Sequence, residues 1–114
     1  MIEPAKVFNQ IGQISQTVAR WTVPAALPYL NGHFPENPIF PAVGIIDAST
    51  YLVQRNLNRP DLQVQSVDSA KFLQPIIPDQ TVLIELANLS ENTWQIEWKE
   101  DVTGKLLATL KLSF

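Results

Sequence analysis

The feature that most constrains the fold is a proline-rich segment followed directly by a segment almost free of helix breakers. Five of the nine prolines lie between Pro24 and Pro41. Proline lacks a backbone N–H and fixes φ, so this segment can form neither a regular helix nor a central strand. Residues 42–57 (AVGIIDASTYLVQRNL) contain no breaker except Gly44. The sequence therefore predicts a long stiff loop and then one helix over 42–57, which Pro60 closes.

The first three turns of this helix are apolar on nearly every side, and its last turn is polar. The apolar positions are Val43, Ile45, Ile46, Ala48, Leu52 and Val53. A helix that is apolar all round is expected to be buried.

Strand-like patterns occupy both sides of the helix. Residues 7–23 predict two strands around Gly12, with the segment from Gln16 to Val23 rich in β-formers. Alternating runs separated by turn signals cover 62–73, 80–89, 93–100 and 105–114. In the last run, alternation places Leu106, Ala108, Leu110 and Leu112 on the buried face and Leu107 on the other. These runs predict an antiparallel meander that curls around the helix, which is an α+β architecture in a single domain over residues 1–114.

Composition excludes several classes of function. The 114 residues include no cysteine and one histidine, so thiolate chemistry, disulfides and His-rich metal sites are excluded, and we expect no metal and no cofactor. A net charge of −3 is the wrong sign for a nucleic-acid binder. Without an apolar run long enough for a membrane helix and without a signal-peptide pattern, we expect a soluble cytoplasmic protein that contacts no membrane.

Two ionisable residues stand in unusual surroundings. His33 lies in the proline-rich loop, and Asp47 lies on the apolar part of the helix. A carboxylate removed from water must be hydrogen-bonded or kept protonated. Both residues also have ordinary structural explanations: a hydrogen bond or an early helical turn for Asp47, and capping of a backbone carbonyl for His33.

The segment that joins these two residues resembles a known family signature. GHFPENPIFPAVGIID, from Gly32 to Asp47, is similar to the GHFPxxPxxPGV signature of the β-hydroxyacyl-acyl carrier protein dehydratases of the FabZ/FabA type. The family's helix carboxylate, Asp or Glu, corresponds to Asp47, fourteen positions after His33. A second block, Val67-Asp68-Ser69-Ala70-Lys71-Phe72 followed by Pro75-Ile76-Ile77-Pro78, resembles the family's strand and PVVPGD turn.

The resemblance implies a hot-dog fold, in which one long central helix is wrapped by a curled antiparallel sheet. It also implies a hydro-lyase that converts 3-hydroxyacyl thioesters on acyl carrier protein to trans-2-enoyl thioesters in fatty-acid or polyketide biosynthesis, including aryl polyene pathways. His33 would be the base that takes the α-proton, and Asp47 the acid at the departing hydroxyl. In this family the histidine of one subunit faces the helix carboxylate of the other, so a homodimer or higher homo-oligomer is expected.

Further residues are assigned to the substrate and the carrier. The backbone N–H groups of Ala42, Val43 and Gly44 at the helix start are candidate donors to the thioester oxygen. Phe34, Phe40 and Ile46 are candidate walls for the acyl chain, together with Ile39 and Val43, and ordinary core packing is the alternative. Tyr51, one turn after Asp47, stands where family members often have an orienting glutamine. Candidate docking points for acyl carrier protein are Lys71, Arg55 and Arg59.

Some positions depart from the family pattern and leave other functions open. Glu36 stands where many members have glycine, and Pro78-Asp79-Gln80 lacks the glycine of the family's turn. One alternative is a hot-dog acyl thioesterase that uses the helix carboxylate to activate water. The other is a non-catalytic hot-dog subunit that binds carrier-linked acyl chains.

Overall fold

The computed structural model describes residues 3–30 and 39–114. Within these ranges the elements are α1 (Pro4–Phe8), β1 (Gly12–Gln13), β2 (Val18–Thr22), a 3-10 helix (Pro28–Leu30), α2 (Ala42–Leu57), β3 (Ser66–Phe72), β4 (Thr81–Ser90), β5 (Thr93–Glu100) and β6 (Leu106–Ser113). The prediction for α2 is confirmed at both ends, and each predicted strand region contains an observed strand. The longest of these helices, α2, has sixteen residues, and none in the described ranges has the length and apolarity that a membrane crossing requires.

Proline and asparagine set the two ends of α2. Pro41 is extended at the N-cap, and its carbonyl accepts from the N–H groups of Gly44 and Ile45. At the other end Asn58 adopts a left-handed conformation with φ 53°, which directs its N–H to the Arg55 carbonyl. Asparagine tolerates this conformation better than most residues do, so the helix ends there, two residues before Pro60.

The strands form one antiparallel sheet in the order β1-β2-β4-β5-β6-β3. The predicted meander is therefore correct for β4, β5 and β6 and wrong for β3, which pairs with β6 at the far edge, while β2 lies beside β4. The connection over 73–80 is stiffened by Pro75 and Pro78 and is too long for a tight hairpin. It runs from the edge strand β3 past β6 and β5 to β4. Within this connection, the Ile76 carbonyl accepts a hydrogen bond from the Phe40 N–H.

The sheet packs its apolar face on α2. Alternate residues of β4 and β5 are buried, namely Val82, Ile84, Leu86, Trp94, Ile96 and Trp98. The indole N–H of Trp98 donates to the Ser49 hydroxyl at 3.0 Å, and that hydroxyl donates to the Ile45 carbonyl at 2.7 Å. One serine therefore satisfies the polar atom of a large core residue, which removes the cost of burying it.

Strand β6 differs from the predicted alternation at its start. Leu107 is buried and Leu106 is only half-buried, the reverse of the prediction. Trp98 pairs with Ala108 whereas Lys99 pairs with Leu106, so Leu107 is an extra residue in a β-bulge. The bulge shifts the side-chain alternation by one position. From Ala108 onward the predicted face is the observed one, with Leu110 and Leu112 buried.

The amino-terminal region includes a helix that the strand pattern did not predict. Two strands are present in this region, but neither precedes Gly12: β1 begins at Gly12 and β2 follows it, while the segment before Gly12 contains α1, which carries the fully buried Phe8. The Phe8 ring lies 5.7 Å from Trp21 and 5.5 Å from Tyr29, measured between ring centroids. Five residues are too few to show helical periodicity, and the burial of Phe8 in this aromatic cluster is what holds α1 in place.

Candidate active site

The carboxylate of Asp47 lies in the second turn of α2 and has one side-chain partner in the described part of the chain. The Tyr29 hydroxyl donates to Asp47 Oδ2 at 2.6 Å. Asp47 is half-buried, although the apolar sequence around it predicted a buried carboxylate. The hydrogen bond that the sequence required of a desolvated acid is therefore present, and a tyrosine of the 3-10 helix supplies it.

The ring of Tyr29 is held on several sides. It stacks on Phe8, and it meets Phe40 edge to face with centroids 5.7 Å apart. A Cβ atom placed on Gly44 would lie 3.1 Å from Tyr29 Cδ1, so the absence of a side chain there lets the ring approach α2. Burial, followed by the hydrogen bond and the charge of Asp47, raises the pKa of the Tyr29 phenol far above its usual value. The phenol therefore remains a donor throughout the neutral range.

The start of α2 offers fewer free N–H groups than predicted. The Gly44 N–H donates to the Pro41 carbonyl at 2.9 Å, so it is occupied, and its assignment as a donor to the substrate is withdrawn. In the described ranges no acceptor is found for the N–H groups of Ala42 and Val43, and both residues are exposed. These two are the N–H groups of the predicted set that remain available to an anionic oxygen.

An apolar groove of about 280 Å³ lies at this end of α2. Its walls come from the helix start, from the segment before it and from the β3–β4 connection, and include Phe40, Ala42, Ile45, Phe72, Leu73 and Ile76. Phe40 also belongs to the core, where its ring packs against Trp21 and Trp98. Ile46, another predicted wall, is half-buried, and it is not part of this groove's lining.

Tyr51 does not replace the orienting glutamine in this structure. Its half-buried ring packs 6.4 Å from Phe8, and the Arg55 guanidinium lies over it at 5.8 Å. The hydroxyl that reaches Asp47 belongs to Tyr29, eighteen positions earlier in the chain. Sequence reasoning missed Tyr29 because helical spacing identifies only partners on the same helix, and no local pattern marks a distant loop residue.

The predicted carrier-docking residues have different environments. Arg55 donates to the Ile11 carbonyl at 2.7 Å, so its guanidinium fastens the amino-terminal region to α2. Arg59 is exposed and pairs with Asp61 at 3.3 Å. Lys71 is exposed on β3, and it makes no salt bridge in the part of the chain that the structure describes. His33 and Phe34, the predicted base and one predicted acyl wall, lie outside the described residues, as does Glu36.

The residues that the structure describes leave one side of α2 uncovered, which corrects the prediction of a helix buried all round. Val43 is 59% exposed, and Ile46, Asp47 and Thr50 on the same side are half-buried. The face of β3 that continues the core is open as well. Val67 and Phe72 pair with the buried residues Leu112 and Ala108 and share their side of the sheet, yet they are 45% and 44% exposed.

A long helix packed on one antiparallel sheet of this order defines a protein of the hot-dog class, and solved structures agree. The dehydratase heterocomplex ApeI:P from Xenorhabdus doucetiae superposes with a TM-score of 0.75, at 23% identity over 89% of each chain. The PaaI protein of Escherichia coli superposes with a TM-score of 0.59, at 19% identity over 96% of this chain and 84% of that one. A 1,4-dihydroxy-2-naphthoyl-CoA thioesterase from Synechocystis also gives 0.59, at 12% identity over 84% of this chain and 77% of that one. The predicted hot-dog fold is thus confirmed.

Sequence comparison narrows this class to a family. Residues 10–111 match the ApeI-like family model, described as ApeI dehydratase. The 3-hydroxyacyl-[acyl-carrier-protein] dehydratase FabZ of Brucella melitensis is 33% identical in an alignment 95 positions long, which covers 75% of this chain and 60% of that relative. The chain therefore spans about 60% of the length of such relatives. This chain belongs to the ApeI-like dehydratase family, and the predicted resemblance to FabZ-type dehydratases is confirmed.

Proposed function

We propose that this protein dehydrates 3-hydroxyacyl thioesters carried on acyl carrier protein to trans-2-enoyl thioesters. The observation that carries the proposal is the position of the Asp47 carboxylate. It lies on α2, whose start borders the apolar groove, and it accepts a hydrogen bond of 2.6 Å from the Tyr29 hydroxyl. Membership in a dehydratase family supports the reaction class. The names of the FabZ relatives support a carrier-linked 3-hydroxyacyl substrate.

The elimination requires one base and one acid. In the proposed reaction His33 takes the proton from C2, and the electron pair of that C–H bond forms the C2=C3 double bond. The C3–O bond breaks, and the departing hydroxyl leaves as water with a proton delivered from Asp47 or from a water that Asp47 holds. Negative charge grows on the thioester oxygen during proton removal, and the N–H groups of Ala42 and Val43 are the proposed donors to it.

An assay of purified protein with a 3-hydroxyacyl thioester on acyl carrier protein tests this proposal. Formation of the enoyl product, followed by mass spectrometry of the carrier-bound acyl group, is the expected result. Release of the free acid without enoyl formation would identify a thioesterase instead. Binding without turnover would identify a non-catalytic subunit. Either outcome overturns the proposal. Comparing the rates of enoyl formation from alkyl and aryl 3-hydroxyacyl substrates tests whether the protein serves fatty-acid or aryl polyene biosynthesis.

We also propose that two copies of the chain associate along β3. In the described part of the sheet β3 pairs with β6 alone, and all seven of its residues are exposed. Such an edge offers a row of free backbone groups to another strand. Its open apolar side, with Val67 and Phe72, continues the core face of the sheet and is suited to receive the uncovered side of a second α2.

Two valine substitutions test this association. Val67→Lys places a charge on the proposed interface and is expected to yield a smaller species by sedimentation velocity. Val102→Lys changes a valine that is 90% exposed in a turn and should keep the wild-type species. A wild-type protein that sediments as a monomer, or two variants that behave alike, would contradict the proposal.

Subunit complementation tests whether the site is shared between copies. If His33 of one subunit faces Asp47 of the other, mixing inactive His33→Ala with inactive Asp47→Asn creates dimers with one intact site. At equal amounts about a quarter of wild-type activity should return, because half of the dimers are mixed and each has one working site of two. Mixing without recovery, after subunit exchange is verified, would place both residues of a site in one subunit.

For the carrier, Lys71 is the proposed docking residue: it pairs with Thr109 and so lies on the side of the sheet opposite Val67 and Phe72, away from the proposed contact with a second α2. Lys71→Ala is expected to raise KM for a carrier-linked substrate and to leave the rate with a short free thioester unchanged, since an interfacial charge acts on the protein partner. Lys105→Ala, also an exposed lysine, is the matched control and should change neither value. Equal effects on both substrates would argue against docking at Lys71.

A further inference from the structure

We propose that Tyr29 is a positioning residue for dehydration: it holds the Asp47 carboxylate in its reactive orientation and leaves the second oxygen for the substrate. The inference rests on the proposed function and deepens it. Tyr29 belongs to the 3-10 helix Pro28–Leu30, well separated in sequence from α2.

The geometry that carries the inference is a rigid donor aimed at one carboxylate oxygen. The hydroxyl donates to Oδ2 at 2.6 Å, which is short and typical of an O–H donor on a carboxylate. The ring that carries the hydroxyl is buried, stacked on Phe8 and edge to face with Phe40. Because the ring is fixed from two sides, the hydroxyl restricts the carboxylate rather than following it.

The chemistry of the pair fits a positioning role. A carboxylate has two oxygens, and a phenol has one proton to donate, so one hydrogen bond to Oδ2 leaves Oδ1 without a partner in the described residues. Asp47 is half-buried, so part of this residue is open at the surface, and Oδ1 is the oxygen assigned to the substrate. Burial and then the neighbouring Asp47 carboxylate raise the pKa of the Tyr29 phenol, which is protonated at neutral pH in any case, so Tyr29 remains a donor.

The packing around Tyr29 is provided by small and aromatic residues of this chain. Gly44 has no side chain, and a Cβ there would lie 2.5 Å from Phe40 Cε1 and 3.1 Å from Tyr29 Cδ1. The close approach of both rings to α2 therefore depends on this glycine. Tyr29, Phe40 and Gly44 together set the position from which the hydroxyl reaches Asp47.

The test is Tyr29→Phe, which removes the hydroxyl and keeps the ring. We expect kcat to fall by about tenfold or more, because a catalytic group that loses its fixed position reacts more slowly. KM should stay within about twofold, since the lost interaction orients the acid without binding the acyl chain. Thr22→Val is the matched control: it removes a hydroxyl from the exposed Thr22–Thr81 hydrogen bond of 2.8 Å, on the side of β2 opposite the buried Trp21, and should leave kcat and KM unchanged. An unchanged kcat in Tyr29→Phe, or a rise in KM alone, would overturn the inference.

A double-mutant cycle distinguishes positioning from general damage. In an Asp47→Asn background, Tyr29→Phe should have little further effect on kcat, because the carboxylate that Tyr29 orients is gone. If the fall in kcat of the double variant equals the product of the two single falls, Tyr29 does not act through Asp47.

A measurement that needs no turnover separates this inference from the proposed function. Tyr29→Phe should lower the thermal midpoint in the wild-type background and lower it less in Asp47→Ala, since the two residues are coupled only while the hydrogen bond exists. If the wild-type protein forms no enoyl product but this coupling is found, the proposed function fails while the contact stands. If enoyl product forms but the coupling and the kcat effect are absent, the role of Tyr29 fails and the proposed function stands.

Discussion

Substitution of Gly44 by alanine sets helix propensity against packing. Alanine in a helix interior is favoured over glycine by up to about 1 kcal/mol. At this position, however, the new Cβ would lie 2.5 Å and 2.8 Å from two ring carbons of Phe40 and 3.1 Å from Tyr29 Cδ1. Both rings are buried and wedged among aromatic neighbours, so they have little room to move. Overpacking a core in this way costs about 1–3 kcal/mol, and the net effect should be a loss of about 0–2 kcal/mol in the free energy of unfolding.

The activity of Gly44→Ala should fall more than its stability does. Displacement of Phe40 narrows the groove, and displacement of Tyr29 weakens its hold on Asp47, so we expect about a tenfold or greater fall in kcat/KM. Urea unfolding and the initial rate of enoyl formation measure the two effects. Gly12→Ala is the matched control, because its Cβ would meet a single backbone atom at 3.4 Å and should alter neither value appreciably. A Gly44→Ala protein that is about 1 kcal/mol more stable and fully active would refute this reasoning.

Three further predictions concern the core, a turn and the pH dependence. Ser49→Ala leaves the buried Trp98 indole N–H without its acceptor. Urea titrations should show a free energy of unfolding that is lower by about 1–3 kcal/mol. An unchanged urea midpoint would show that the hydrogen bond does not stabilise the protein. Asp79 has a left-handed φ of 68°, which glycine adopts without strain. Asp79→Gly should therefore raise the free energy of unfolding by about 0.5–1 kcal/mol, because the strain that is relieved exceeds the entropy that a glycine adds to the unfolded chain. A lower thermal midpoint would contradict this. If neutral His33 is the base, kcat/KM should rise with pH as the imidazole loses its proton, and a flat profile from pH 5 to 8 would argue against it.

The parts of the fold that follow local rules were predictable. Proline at one end and polar residues before Pro60 at the other gave both bounds of α2, because helix termination is a local property. Alternation gave β4 and β5 for the same reason. The partner of β3 depends on where the 73–80 connection leads, and the burial of Leu107 depends on a bulge opposite β5, so neither was available from local pattern.

The candidate site, like the fold, has features that local sequence rules predict and features that depend on tertiary packing. A hydrogen-bond partner for Asp47 was predictable, because a carboxylate on an apolar helix needs one, and the structure contains it. Its identity was not predictable, since Tyr29 reaches it through tertiary packing of the 3-10 helix against α2 and α1. The Gly44 N–H was assigned to the substrate because the first turn of a helix has free donors, but the Pro41 carbonyl accepts from it. Which of the first N–H groups stay free depends on the tightness of the first turn, which the sequence does not reveal.

The most direct measurement of the central claim is the rate of enoyl formation from a 3-hydroxyacyl carrier thioester by the wild-type protein, His33→Ala and Asp47→Asn. If these residues are the base and the acid, each substitution should lower kcat by about 10²–10⁴-fold while circular dichroism shows a folded protein. Folded variants that retain the wild-type rate would contradict the account, because the reaction would then be using other groups.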